Sequence, residues 1–89
     1  MDQLSTLTQL NKEFEIATRL KCSSIAVLIQ MKDFEKPELI INESANFNKK
    51  LEYYNKAYNE DLTLKACKDI KIIGCYYGDD LINIVKKYL

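Results

Sequence analysis

The stretch Ser24-Ile25-Ala26-Val27-Leu28-Ile29-Gln30-Met31 decides how this sequence folds. It is short, contains β-branched residues and is apolar almost throughout. A strand with one solvated face alternates apolar and polar residues, whereas a strand covered on both faces does not. The stretch therefore predicts a strand in the middle of a sheet, buried on both faces.

Two further strands are predicted beside this central one. Residues Lys32 to Glu38, with Pro37 among them, predict a turn, and Leu39-Ile40-Ile41 predicts the second arm of a hairpin. Proline has no N–H to donate, so its place at the mouth of this short arm is typical of an edge strand. Residues 70–77 predict a third strand, which ends at Gly78.

The first helix is predicted from an N-cap at Asp2 to about Leu20, since no Gly or Pro interrupts this segment. Its apolar residues spread over roughly 240° of the helix surface, which is more than one sheet can cover. Part of this surface is therefore expected to need another partner, which is either the last helix of the same chain, a second copy or a foreign protein. The residues concerned are Leu4, Leu7, Leu10, Phe14, Ile16, Ala17 and Leu20.

A middle helix is predicted from about Ala45 to Asn59, with Asn42 and Ser44 as alternative N-caps. Its apolar stripe consists of Phe47, Leu51, Tyr54 and Tyr58. Residues 60–69 are predicted to be a loop that carries at most one helical turn. A last helix is predicted from about Asp79 to Leu89, with aspartates at its N-terminus.

The predicted order is helix, strand, strand, helix, strand, helix. We therefore predict an α+β fold, a two-layer sandwich in which helices pack on a three-stranded antiparallel sheet of spatial order 2-1-3. The 89 residues suffice for one domain, 1–89, and leave no room for a second core.

The composition argues against several classes of function. Thirteen basic residues balance thirteen acidic ones, which removes the electrostatic footprint of a typical nucleic-acid binder. No apolar stretch approaches the roughly 20 residues that span a bilayer, and the start of the chain lacks a signal-peptide pattern. We expect a soluble, cytoplasmic protein without membrane contact. The odd number of cysteines, Cys22, Cys67 and Cys75, favours free and mostly buried thiols.

No residue pattern predicts catalysis, a metal site or a cofactor. The chain has no histidine, and its three thiols match no zinc-ligand spacing. Tyr77-Gly78-Asp79-Asp80 resembles the Tyr-Gly-Asp-Asp motif of viral RNA-dependent polymerases, where two aspartates hold magnesium ions. That family also needs a strand after the aspartates and a large palm domain. We therefore interpret Asp79 and Asp80 as a helix N-cap.

Two surfaces are candidates for binding. The first would contact another protein or a second copy of the chain, using an apolar helix face and tyrosine anchors. Its predicted residues are Leu10, Ile16, Leu20, Tyr53 and Tyr77. The second would stack a base on tyrosine and neutralise phosphate, with Lys49, Lys50 and Lys56 as anion contacts beside Tyr53 and Tyr77.

These observations predict a non-enzymatic protein-interaction module that acts as a homo-oligomer, with the identity of any further partner open. A nucleotide or single-stranded nucleic-acid binder is the alternative. The abundance of Lys, Ile, Asn and Tyr is what AT-rich codons produce, which suggests an accessory or inhibitory protein of a low-GC bacterium or its phage.

Overall fold

A computed structural model describes residues 2–79 and residue 86 of the chain. Two α-helices and five strands lie in this part, and a 3-10 turn at Ser44–Asn46 leads into the second helix. The elements in chain order are β1 (Asp2–Gln3), α1 (Leu7–Arg19), β2 (Ser24–Met31), β3 (Glu38–Glu43), α2 (Phe47–Ala57), β4 (Thr63–Leu64) and β5 (Cys67–Gly78).

The strands form one antiparallel sheet in which β2 lies between β3 and β5. The predicted order of the three long strands, 2-1-3, is therefore confirmed, and so is the α+β class. The prediction of only three strands is wrong. Two very short strands, β1 and β4, pair with β5 on the side away from β2 and make the sheet one position wider.

The central strand is buried on both faces, as its sequence predicts. Ile25, Val27 and Ile29 join the core cluster that α1 and α2 cover. Alternation along the strand places Ala26 and Leu28 on the opposite face, and these side chains are also buried. A strand in this position needs apolar residues on both sides, which explains the continuous apolar run.

A β-bulge in β5 keeps its apolar residues on the core face. Leu28 is opposite Gly74, whereas Ile29 is opposite Ile72, so Ile73 is the extra residue. Ile72 and Cys75 are three residues apart and would face opposite sides of a regular strand. With the bulge between them, both side chains lie in the core.

The first helix begins later than predicted. Asp2 belongs to β1, and the N-cap of α1 is Thr6, whose side chain accepts from the Gln9 N–H at 3.1 Å. The Gln9 side chain accepts in return from the Thr6 N–H, which completes a capping box. Leu4 precedes the helix and lies in the core. The apolar surface of α1 is therefore narrower than the sequence suggests.

The two helices meet through aromatic rings. Phe14 of α1 packs edge-on against Phe47 of α2, with ring centroids 5.6 Å apart, and lies 6.0 Å from Tyr54. A reciprocal pair of amide hydrogen bonds, each 2.9 Å long, joins Asn11 of α1 to Asn55 of α2. These contacts fix both helices on the same face of the sheet.

Neither predicted cap of the middle helix is its N-cap. Asn42 is buried in β3, where its Nδ2 donates to the Ile25 carbonyl oxygen at 3.2 Å. Ser44 starts the 3-10 turn, and Asn46 is the N-cap of α2 without a side-chain hydrogen bond. Asn42 therefore hydrogen-bonds within the sheet and does not cap the helix, because β3 continues to Glu43 and the 3-10 turn begins only at Ser44.

The segment predicted as a loop carries two strand segments instead. The sequence 60–69 contains β4 and the start of β5, which Lys65 and Ala66 connect. The preceding turn has Leu62 in the left-handed region, with φ of 70°, and this side chain is fully buried. Burial of the Leu62 side chain in the core holds the backbone in this conformation. The local sequence does not predict it, because a leucine rarely has a positive φ.

The predicted last helix falls on residues 79–89, most of which lie outside the described residues. That helix and the two-layer arrangement that depends on it therefore stay predictions. Asp79 is described, and its Oδ1 accepts from the Ser23 backbone N–H at 2.9 Å. Neither α1 nor α2 is long and apolar enough to cross a membrane.

Candidate protein-interaction site

The two edges of the sheet differ in how they are covered. At one edge, β1 pairs with Gly74 and Cys75 of β5, and β4 pairs with Cys67 and Lys71. At the other edge, β3 pairs with β2 alone, and no strand of the described chain lies on its outer side. Within residues 2–79, the sheet therefore has one covered edge and one open edge.

The ladder between β2 and β3 determines which backbone groups point outward. The Ser44 N–H donates to the Ser23 carbonyl oxygen at 2.8 Å, so this directly opposed pair is hydrogen-bonded. Hydrogen-bonded and non-hydrogen-bonded pairs alternate along an antiparallel ladder. The N–H and C=O groups of Leu39, Ile41 and Glu43 therefore point away from β2. The Glu43 carbonyl, at the N-cap of the 3-10 turn, accepts the first hydrogen bond of that turn. The Glu43 N–H and the groups of Leu39 and Ile41 form no bond to a described residue. We call this row of groups the β3 edge.

The side chains of β3 do not protect this edge. Native edge strands are commonly blocked by charged side chains, especially lysine, by proline, by a bulge or by a very short length. The six residues of β3 include no lysine or proline, and their register against β2 is regular. Leu39, Ile40 and Ile41 are half-buried, and exposed glutamates stand only at the two ends. The β3 edge is thus a template to which another strand can add.

A cleft lies at the start of β3, in the loop that joins it to β2. It has a volume of about 400 Å³ and is lined by Met31, Phe34, Lys36 and Glu38. The Phe34 side chain is 62% exposed. Gln30 holds the loop in place, because its Nε2 donates to the Phe34 carbonyl oxygen at 2.7 Å. An apolar side chain of a docked strand would find this cleft next to the β3 edge.

The predicted interaction residues of the first helix do not form one surface. Leu10 is fully buried beneath the helix, so it cannot contact a partner in the folded protein, and its prediction as a surface residue is corrected. Ile16 is half-buried, and Leu20, at the C-cap of α1, is 62% exposed. Ile16 and Leu20 are four residues apart and share a side of the helix end.

The predicted Lys/Tyr surface lies on α2. Tyr53 is 52% exposed, and Lys49, Lys50 and Lys56 are exposed around it. Lys56 is paired with Glu52 at 3.0 Å, whereas neither Lys49 nor Lys50 forms an ion pair in the described part of the chain. The Tyr53 ring packs edge-on against Tyr54, with centroids 5.4 Å apart. Its contact with the core limits how freely this ring can stack on a ligand.

Tyr77 is not part of that surface. It is half-buried, packs against the core cluster and lies opposite Ile25, near the start of β2. Tyr58, a ring neighbour of Tyr53, is close enough to Glu38 for that charge to raise its pKa. Glu38 is opposite Ile29, near the other end of β2. The structure therefore places Tyr53 and Tyr77 toward opposite ends of the sheet.

A second cleft, of about 290 Å³, separates the end of α1 from the start of α2. Cys22 and Lys21 line it together with Thr18, Ser44, Phe47 and Asn48. Burial, and after it the charge of Asp79, raises the pKa of the Cys22 thiol. A thiol that stays protonated at neutral pH is a weak nucleophile, so this cleft has no activated cysteine. Cys75 is also buried and Cys67 is exposed, so two of the three thiols are buried, as the sequence predicts.

Among residues 2–79 and 86, no group of three or more acidic or cysteine side chains is arranged to hold a metal ion. The described residues define a small α+β domain with one open sheet edge. No protein-family model matches this chain, and neither a curated protein nor a solved structure shows significant similarity to it.

The β3 edge was missed by sequence reasoning, although one signal for it was present. Leu39-Ile40-Ile41 was predicted to be an edge strand, and the absence of lysine within it could be read from the sequence. What could not be read was that the opposite edge of the sheet is covered by two strands of two residues each.

Proposed function

We propose that this protein is a non-enzymatic protein-interaction module that binds a strand of its partner along the β3 edge. Strand addition supplies affinity through main-chain hydrogen bonds, and adjacent pockets supply specificity for side chains. The cleft beside Phe34 is such a pocket. A role as an accessory or inhibitory protein fits this mode of binding.

One observation carries the proposal: the outward N–H and C=O groups of Leu39 and Ile41, together with the outward N–H of Glu43, are unpaired in the described chain. An unprotected edge strand tends to pair with other chains, and proteins usually block it. Docking of a partner strand requires an open edge, and in the described chain β3 has no strand on its outer side.

The test is capture of partners from an extract of the native cells, with two substitutions at one position. Ile41→Pro removes an outward N–H, while the inward groups of Ile40 and Asn42 still pair with β2. Ile41→Ala shortens the same side chain and keeps the N–H. We expect the wild type and Ile41→Ala to retain the same protein, which can be a second copy of the chain, and Ile41→Pro to lose it. Equal retention by a folded Ile41→Pro variant would refute the proposal.

The alternative is a nucleotide or single-stranded nucleic-acid binder that uses Lys49, Lys50 and Tyr53. The favourable observation is that these two lysines lack ion pairs in the described chain and flank an exposed tyrosine. Fluorescence titration with a labelled oligonucleotide tests it, because phosphate contacts make affinity fall with added salt. This alternative expects the double variant Lys49→Ala, Lys50→Ala to lose affinity and the control Lys65→Ala, Lys68→Ala to keep it.

A further inference from the structure

We propose that the segment 80–89 of this chain covers the face of the sheet that points away from α1 and α2. This inference does not depend on the proposed function. It gives the domain three layers where the sequence predicts two, because the sheet then lies between the two described helices and this segment. We call the face concerned the second face, and its residues are Ala26, Leu28, Leu39, Ile41 and Tyr76.

The register of the three long strands brings these side chains together. Ala26 of β2 is opposite Ile41 of β3 and Tyr76 of β5, and Leu28 is opposite Leu39. Directly opposed residues of an antiparallel pair point to the same side of the sheet. The second face is therefore a continuous apolar surface that crosses the middle of the sheet.

Burial indicates that the second face is covered. Ala26 is 0% exposed and Leu28 is 1% exposed. Side chains on an open face of an antiparallel sheet remain in contact with water. The described helices pack on the other face, against Ile25, Val27 and Ile29. Cover for Ala26 and Leu28 therefore comes from chain outside the described helices and strands.

The chain leaves β5 at a place from which it can supply this cover. Gly78 is opposite Ser24, at the start of β2. The next residue, Asp79, is held there, because its Oδ1 accepts from the Ser23 N–H at 2.9 Å and its carbonyl oxygen accepts from the Ser23 Oγ at 3.0 Å. A helix of ten residues is about 15 Å long, and Leu28 lies four residues, or about 13 Å, from Ser24 along β2. The segment is therefore long enough to reach both buried side chains.

The sequence of the segment suits a helix with one apolar side. Its apolar residues fall within an arc of roughly 160°, and Asn83, Lys86 and Lys87 lie opposite them. Lys86, the described residue of the segment, has a helical backbone and an exposed side chain. This is expected when the apolar side faces the sheet. The apolar residues are Leu81, Ile82, Ile84, Val85, Tyr88 and Leu89.

Tethering favours this segment over a second copy or a foreign protein. A segment joined to the sheet by a short connection has an effective concentration in the roughly millimolar range, which separate molecules rarely reach. We therefore assign the second face to the segment that follows β5. With both faces of the sheet covered, the β3 edge is the part of the described sheet that a partner strand can reach.

Methyl NOE spectroscopy of the full chain locates the segment without any substitution. We expect cross-peaks that join the Leu28 methyl groups to those of Ile84 or Val85. Val27 points to the other face and is the internal control, so its cross-peaks should lead to the core cluster and not to the segment. A mixture of differently labelled chains separates contacts within one copy from contacts between copies. The inference is overturned if Leu28 has no cross-peak to residues 80–89, or has such cross-peaks only between copies.

Two matched substitutions test which side of the segment faces the sheet. Val85→Asp and Lys86→Asp place the same charge at neighbouring positions, and only Val85 belongs to the apolar side. We expect Val85→Asp to release the segment, which should raise the fluorescence of ANS, a dye that binds exposed apolar surface, several-fold and lower the melting temperature. Lys86→Asp should behave as the wild type, and equal dye binding by the two variants would contradict the proposed orientation. Should Val85→Asp fail to fold, the NOE measurement on the wild type decides.

Discussion

Asn42 and Tyr54 form a polar pair within the core. The Asn42 Nδ2 lies 3.4 Å from the Tyr54 hydroxyl oxygen, and the hydroxyl lies 3.5 Å from the Asn42 Oδ1. Both side chains are buried, so each hydrogen bond replaces water that cannot reach the site. The pair links the last inward residue of β3 to α2 and helps to fix the strand that carries the β3 edge.

Tyr54→Phe should therefore destabilise the fold by about 1 kcal/mol, because it leaves a buried amide oxygen without its donor. Tyr53→Phe is the control, since that tyrosine is exposed, and its free energy of unfolding should stay within about 0.5 kcal/mol of the wild type. Urea denaturation measures both. Equal stability of the two variants would show that the buried pair contributes nothing.

Tyr58 makes stability depend on alkaline pH. Burial, followed by the charges of Tyr53, Tyr54 and Glu38, raises its pKa from 10.0 to about 12. The folded state favours the neutral phenol, so the associated stability is fully present below pH 10 and declines as the pH rises toward 12. The measurement is the free energy of unfolding across this interval. We expect the decline to be smaller in Tyr58→Phe than in Tyr53→Phe, and parallel curves would contradict the assignment.

Helix α1 ends with Lys21 at the position where glycine is usually found. Lys21 has φ of 56°, and the Cys22 N–H donates to the Ala17 carbonyl oxygen at 2.9 Å. The Lys21 N–H donates to Thr18 in the same way, which completes the Schellman motif that glycine usually ends. A Cβ atom in the left-handed region is unfavourable, so the sequence here is not optimal for the turn.

Lys21→Gly is expected to raise the free energy of unfolding by about 1 kcal/mol, because glycine adopts this backbone conformation without steric strain. Lys21→Ala removes the same charge and keeps a Cβ atom, so it should bring no such gain. Thermal and urea denaturation of the two variants provide the comparison. If the alanine variant gains as much as the glycine variant, the effect comes from the lysine charge and not from the backbone.

Long elements with a clear period were predictable from the sequence, and short ones were not. The run from Ser24 to Ile29 could be recognised as a central strand because a continuous apolar run needs cover on both faces. The bulge at Ile73 was not predicted, although Gly74 beside it is a common mark of such irregularities. Leu4 was assigned to α1 because its spacing suits a helix, whereas its N–H in fact donates to the Ile73 carbonyl oxygen.

The candidate site was less predictable than the fold, because it depends on what each sheet edge meets. Residues such as Leu10 and Leu20 were grouped by helical spacing, but only Leu20 reaches the surface. The open state of β3 follows from pairing across the whole sheet. Strands of two residues, such as β1 and β4, are too short to produce a periodic signal.

At the scale of the whole molecule, the two sheet edges differ in whether another strand can add to them. The β5 edge is closed by β1 and β4, so strand addition is directed to β3. A partner strand that pairs with β3 occupies this open edge. We therefore expect one bound strand per domain and no further addition of strands to the sheet, in contrast to a domain that has two open edges and can form fibres.

Native mass spectrometry of the wild type, Ile41→Pro and Ile41→Ala, each isolated with whatever protein it retains, tests whether the β3 edge binds a strand. We expect the wild type and Ile41→Ala to show the mass of the 10.4 kDa chain plus that of a bound protein or of a second copy, and a folded Ile41→Pro to show the mass of one chain. A wild type with the mass of one chain, or an Ile41→Pro variant that keeps the same added mass, would contradict binding along the β3 edge.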